Sequence, residues 1–80
     1  MESNDVLIFI QKTLAIASLD RQSQMGLTRG WDSIRHIKLM LAMERQFGIE
    51  IPGDLIAELT TVEGILSFLR QQGLLKETSK

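Results

Sequence analysis

The chain has 80 residues, 44% of them hydrophobic and 24% charged, with a formal net charge of −1; that suits one small globular domain and leaves little room for a large substrate cavity. It has no cysteine and one histidine, which excludes disulfides, thiolate metal sites, a cysteine nucleophile and a multi-histidine metal centre. The near-neutral balance argues against a dedicated nucleic-acid binder, and uncharged stretches such as residues 13–19 are too short to span a bilayer.

The first apolar block covers residues 6–10 and continues through Leu14, Ile16 and Ala17. Five apolar residues in a row suit a buried strand as well as a helix, but the spacing Val6, Ile10, Leu14, Ala17 is helical. The sequence predicts a first helix over about residues 4–17, capped by Ser3 or Asn4. Residues 19–31 have weak periodicity and carry Asp20, Ser23, Gly26, Thr28 and Gly30, so they read as a long loop of about a dozen residues, a length that often carries function. A second helix follows from Ser33 to Phe47 and stops at Gly48. Pro52 holds Ile51 out of the helical region, which makes Ile49-Glu50-Ile51 an extended link. A short helix is predicted over 54–59. Thr61 then caps a last helix over 62–72, ended by Gly73, with Val62, Ile65, Leu66 and Leu69 on its core face. Residues 76–80 read as a solvated tail. The expectation is one all-α domain over residues 1–80, with three main helices, a short third helix, a long loop between the first two, and no strands.

The second helix carries two apolar sets when its residues are placed at intervals of about 100°. Leu39, Met40, Met43 and Phe47, with His36 among them, suit a core face. Ile34, Ile37 and Leu41 turn toward the other flank, and Arg35, Lys38 and Arg45 border them. Glu44 lies between the two sets. Either the second set packs under the long loop, or it forms an exposed apolar strip rimmed by charge, as a partner-docking site does.

Ser33 stands where the loop becomes helix. The first N–H groups of a helix lack internal partners and carry partial positive charge, so a phosphate on this serine oxygen is favoured there. Asp32 and Ser33 before an apolar helix are equally what an ordinary N-cap looks like.

The run Asp32-Ser33-Ile34, the helix from Ile37 to Glu44, the segment Phe47-Gly48-Ile49-Glu50-Ile51-Pro52 and the later Thr60-Thr61-Val62 together resemble the acyl carrier protein family. The resemblance is strongest over residues 31–62. It implies a small four-helix bundle that is not itself an enzyme. It also implies a 4′-phosphopantetheine arm esterified to Ser33, with Asp32 in the same motif, transferred from coenzyme A by a phosphopantetheinyl transferase. In that family the arm ends in a thiol that holds an acyl or aminoacyl group as a thioester, so the absence of cysteine in the chain fits. The matching docking positions are Ile34, Arg35, Ile37, Lys38, Leu41 and Arg45. His36, Leu39, Met40 and Met43 match core or acyl-pocket positions, where methionine repacks readily. The implied partners are the transferase, an acyl- or aminoacyl-loading ligase, and a downstream transferase or synthase.

Two departures stand out. Carriers of fatty acid synthesis are often acidic along the second helix, whereas Ser33–Phe47 holds three basic residues against Glu44, a formal +2 with His36 neutral. Neutral or acidic partner surfaces are therefore expected. Trp31 replaces a small or aliphatic residue, and Trp-Asp-Ser is similar to discrete carriers of specialised pathways, including polyketide-like and aminoacyl or peptidyl carriers. Trp31 either covers the base of the arm or clamps the long loop to the bundle. The segment with Glu2 and Asp5 lacks the basic start of a signal peptide, and a cytoplasmic, monomeric carrier is expected. The rival readings are an unmodified helical interaction module and a helix-turn-helix nucleic-acid binder using Arg35, Lys38 and Arg45. Net charge and the apolar residues between those basic ones weaken the second.

Overall fold

A computed structural model describes residues 2–75. Four helices follow in chain order: α1 (Ser3–Leu14), α2 (Ser33–Phe47), α3 (Gly53–Glu58) and α4 (Val62–Gln71). No strand occurs among the described residues, in agreement with the all-α expectation; a single isolated bridge pairs Gln24 with Thr61. The tail expected at 76–80 lies outside the described residues.

The caps that the sequence advertises form at α2 and α4. The Asp32 carboxylate accepts the N–H of Arg35 at 2.9 Å, and the Thr61 hydroxyl accepts the N–H of Gly64 at 2.9 Å. Each satisfies one donor that the helix start leaves free. Gly48 ends α2 in the left-handed conformation, φ 65°, where a side chain is disfavoured. At α1 the cap differs from expectation. Glu2 stands at the cap position and donates its N–H to Asp5 Oδ2 at 3.2 Å, so the acidic first turn takes the role expected of Ser3 or Asn4. Ser3 is the first helical residue, and its hydroxyl is buried without a partner.

The larger correction is the end of α1. The helix stops at Leu14, not near residue 17, because Ala15 turns left-handed with φ 58° and ψ 46°. The N–H of Ile16 then reaches back to the carbonyl of Gln11 at 3.0 Å, and the Gln11 amide nitrogen donates to the carbonyl of Ala17 at 2.9 Å. A glycine normally marks such a turn; alanine there leaves no sequence signal. Ala17, expected on the inner face, is consequently exposed.

The core gathers Val6, Ile10 and Leu14 from α1, Leu39, Met40 and Met43 from α2, and Val62, Ile65, Leu66 and Leu69 from α4. Each buried aliphatic side chain contributes about 1.5–3 kcal/mol. Phe47 is only half-buried and meets Phe9 edge-on, with ring centroids 6.1 Å apart. The α3 helix is too short to bury a residue completely and rests on the core through Leu55 and Ile56.

The long loop is held by backbone hydrogen bonds at its middle and ahead of α2. The N–H of Met25 donates to the carbonyl of Thr60 at 2.8 Å, and the N–H of Val62 to the carbonyl of Ser23 at 3.0 Å. Gly26 N–H donates to the Trp31 carbonyl at 2.9 Å, closing the loop just ahead of α2. At Gly30, with φ +90°, a Cβ would lie 2.5 Å from Ile16 Cγ2, so only glycine lets the loop lie against the chain leaving α1.

Candidate functional site

Ser33 is the first residue of α2 and is exposed. Asp32 caps the third amide of the helix, and the N–H groups of Ser33 and Ile34 make no hydrogen bond among the described residues. The Ser33 hydroxyl likewise makes no hydrogen bond among the described residues. A nucleophilic oxygen is thus presented to solvent at the positive end of a fifteen-residue helix, where an attached phosphate meets free amides and a favourable dipole. Both sequence readings of Asp32 and Ser33 are compatible with this geometry, because the aspartate is the cap and the serine is left free.

Behind Ser33 the bundle is locked. Trp31 is buried, and its Nε1–H donates to His36 Nδ1 at 3.1 Å. Since Nδ1 accepts, the proton of the neutral ring sits on Nε2, which donates to the carbonyl of Ile56 at 2.7 Å. That carbonyl belongs to the last turn of α3, where helix carbonyls lack helical partners. His36 therefore fastens α3 to α2 and Trp31 to both. Of the two roles open to Trp31, the structure shows the clamp. Both His36 nitrogens are engaged in it, so neither is free for an arm or a phosphate.

The two stripes of α2 separate cleanly. His36, Leu39, Met40 and Met43 lie within the packed core. An acyl pocket among them requires these side chains to part; the two clefts described next have other linings. Ile34, Ile37 and Leu41 are exposed, at 71%, 51% and 50%. At these exposures they do not pack under the long loop. Arg35, Lys38 and Arg45 are exposed beside them. Glu44 is drawn away from this face, because its Oε2 accepts the N–H of Ile51 at 2.7 Å and holds the link after α2. Leu27, which weak periodicity had hidden in the loop, is 80% exposed and adds an apolar residue ahead of Ser33.

One cleft, of about 410 Å³, lies beside the start of α2; it is lined by residues 15–18 and 28–30 and by Arg35. Another of about 410 Å³ lies at the far end, around Glu44 and residues 49–52. No group of three or more His, Asp or Glu residues is placed to hold a metal ion among the described residues. No helix among them is long and apolar enough to cross a membrane.

Comparison with known proteins bears on this serine. Residues 10–69 match the family model described as phosphopantetheine attachment site. Curated relatives include the acyl carrier proteins of Bdellovibrio bacteriovorus (39% identical over 44 residues, 55% of this chain and 56% of that protein) and of Thermosynechococcus vestitus (37% over 41 residues, 51% of each). The acyl carrier protein of Zymomonas mobilis subsp. mobilis is 40% identical over 40 residues, 50% of this chain and 51% of that protein. The matched stretch thus spans about half the length of each relative. No solved structure matches the chain.

Proposed function

We infer, since the chain belongs to the acyl carrier protein family with its phosphopantetheine attachment domain, that Ser33 is the attachment residue. The family acts as carrier rather than catalyst, and its prosthetic group is covalently attached phosphopantetheine. The observation that carries the assignment is a free, exposed serine hydroxyl at the first position of α2, directly after the capping Asp32 and inside the matched region. The residues fit the group: the serine is exposed, and the first two amides of α2 make no hydrogen bond among the described residues.

Attachment forms a phosphoester at Ser33 Oγ and breaks the pyrophosphate bond of coenzyme A. Adenosine 3′,5′-bisphosphate leaves, and the hydroxyl proton passes to a base on the transferase. When bound, the group supplies a thiol that holds an acyl or aminoacyl cargo as a thioester. The chain contributes the anchor and the recognition surface. Ile34, Ile37 and Leu41 form the apolar centre of that surface, with Arg35, Lys38 and Arg45 at its rim, an arrangement typical of interface cores and rims. With Glu44 turned to the Ile51 amide, the face is positive, which favours transferases, loading ligases and synthases with neutral or acidic docking surfaces. The Trp31-Asp32-Ser33 run favours a carrier of a specialised pathway; a monomer working in the cytoplasm is part of the same proposal.

The test is incubation with coenzyme A and a broad-specificity phosphopantetheinyl transferase, followed by intact mass measurement. One phosphopantetheine addition is expected, and none in Ser33→Ala. A Ser33→Ala protein that is still modified would overturn the assignment. Absence of modification with several transferases would favour an unmodified interaction module that uses the same exposed strip.

A further inference from the structure

We propose that the cleft between residues 15–18 and 28–30 is a binding site for a small organic phosphomonoester, with Arg29 and Arg35 clasping the phosphate. The site is separate from Ser33 and independent of any group attached there.

The walls of the cleft are fixed, and on each side the backbone takes a conformation that side chains resist. Ala15 has φ 58°, the one positive φ outside glycine among the described residues. Such a residue persists only where its surroundings enforce it, and strain of this kind collects at binding sites. The enforcing bonds are visible. The N–H of Ile16 donates to the Gln11 carbonyl at 3.0 Å, and the Gln11 side chain donates to the Ala17 carbonyl at 2.9 Å. Across the cleft, Gly30 has φ +90° and admits no Cβ beside Ile16. Thr28 is held three times: its N–H donates to the Gln24 carbonyl at 2.9 Å, its carbonyl accepts from the Trp31 N–H at 3.0 Å, and its Oγ1 accepts from the Gln24 N–H at 2.9 Å. The cleft is thus preformed, so a ligand has little chain ordering to offset.

The polar side chains of the lining, by contrast, are uncommitted. Those of Arg29 and Ser18 make no ion pair or hydrogen bond among the described residues. Arg35 makes one long bond, 3.4 Å from its Nη1 to the Gly30 carbonyl, which draws its guanidinium to the loop. Thr28 keeps its hydroxyl proton free to donate. The carboxylates of Asp20 and Asp32 are not in the lining, and each accepts local bonds: Asp20 from Gln22 and Ser23, Asp32 from Arg35 N–H.

Charge and shape select the ligand class. The lining holds two arginines and no acidic residue. A phosphomonoester carries about −1.5 to −2 at neutral pH and balances both, whereas one carboxylate balances half. Guanidinium groups pair with phosphate oxygens through two parallel hydrogen bonds. The volume of about 410 Å³ and the apolar floor of Ala15, Ile16 and Ala17 leave room for an organic body beside the phosphate. The far cleft offers the opposite charge, since its lining includes Glu44 and Glu50 and no cation.

The test is an amide-shift titration of the unmodified, isotope-labelled chain at neutral pH with phenyl phosphate, inorganic phosphate and phenylacetate as separate probes. Saturable changes at residues 15–18, 28–30 and 35 are expected with phenyl phosphate, and binding at least about fivefold tighter than for either other probe. Arg29→Gln combined with Arg35→Gln removes two exposed cations and is expected to weaken binding about tenfold or more, with the spectrum otherwise retained. Ala17→Trp, which fills the cleft from an exposed position, is expected to abolish it. Arg70→Gln removes the same charge from α4, outside the lining, and is expected to leave binding unchanged. Absent or non-saturable shifts, or shifts confined to residues 32–34, would overturn the site. Equal loss in Arg70→Gln would reduce it to general attraction of anions. Equal binding of phenylacetate or of inorganic phosphate would overturn the organic phosphomonoester as its ligand class. None of these outcomes bears on Ser33, because the chain carries no arm in the titration.

Discussion

On α2, Leu39 and Leu41 are two residues apart and chemically identical, yet one is 0% and the other 50% exposed. The same holds for the sets around them: Met40 and Met43 are sealed, while Ile34 and Ile37 face solvent. Hydrophobicity does not separate these faces. The neighbours do. The inner face meets α1 and the core shared with α4, whereas no element crosses the outer face among the described residues. An 80-residue bundle has too few helices to surround one of them, and the uncovered stripe becomes available for partners.

This contrast can be broken by mutation, and the largest effect belongs to the inner face. Leu39→Ala is expected to cost about 3–4 kcal/mol, the removed transfer energy plus a cavity. Leu41→Ala is expected to stay within about 0.5 kcal/mol of the parent. Urea denaturation of the two variants compares them directly, and equal losses would mean that the outer face is buried in solution.

Trp31→Phe keeps an aromatic ring but removes the donor to His36 Nδ1. A buried acceptor left without a partner costs about 2 kcal/mol. The loss of stability is expected to come with changed amide shifts at Ile56 and along α3, since His36 fastens that helix. Unchanged α3 signals would show that the clamp is local.

The smallest effect concerns the end of α1. Ala15→Gly removes the Cβ penalty of the left-handed turn, about 1–2 kcal/mol, against the greater chain entropy of glycine in the unfolded state. A net gain of about 0.5 kcal/mol is expected in thermal unfolding.

Much of the bundle was legible from local pattern. The period of α2 and α4, the caps Asp32 and Thr61, and the stop at Gly48 all depend on residues within about four positions of one another, which is the reach of helical hydrogen bonds and caps. The Asp32-Ser33 junction was legible for the same reason. The end of α1 was not, because an alanine in the left-handed conformation has no composition cue and the turn depends on Ile16 meeting the loop at Gly30. Leu27 was missed because nothing periodic surrounds it.

The amino-acid sequence alone therefore determined the helices, their caps and the position of a serine at a helix start, since these follow from interactions between near neighbours. Tertiary structure decided which α2 stripe is covered, that His36 serves as a fastener, and that a cleft opens between residues 15–18 and 28–30. The bond from His36 to Ile56 spans 20 positions of chain. Such contacts form only when α1, the long loop and α3 come together, and no local spacing encodes them.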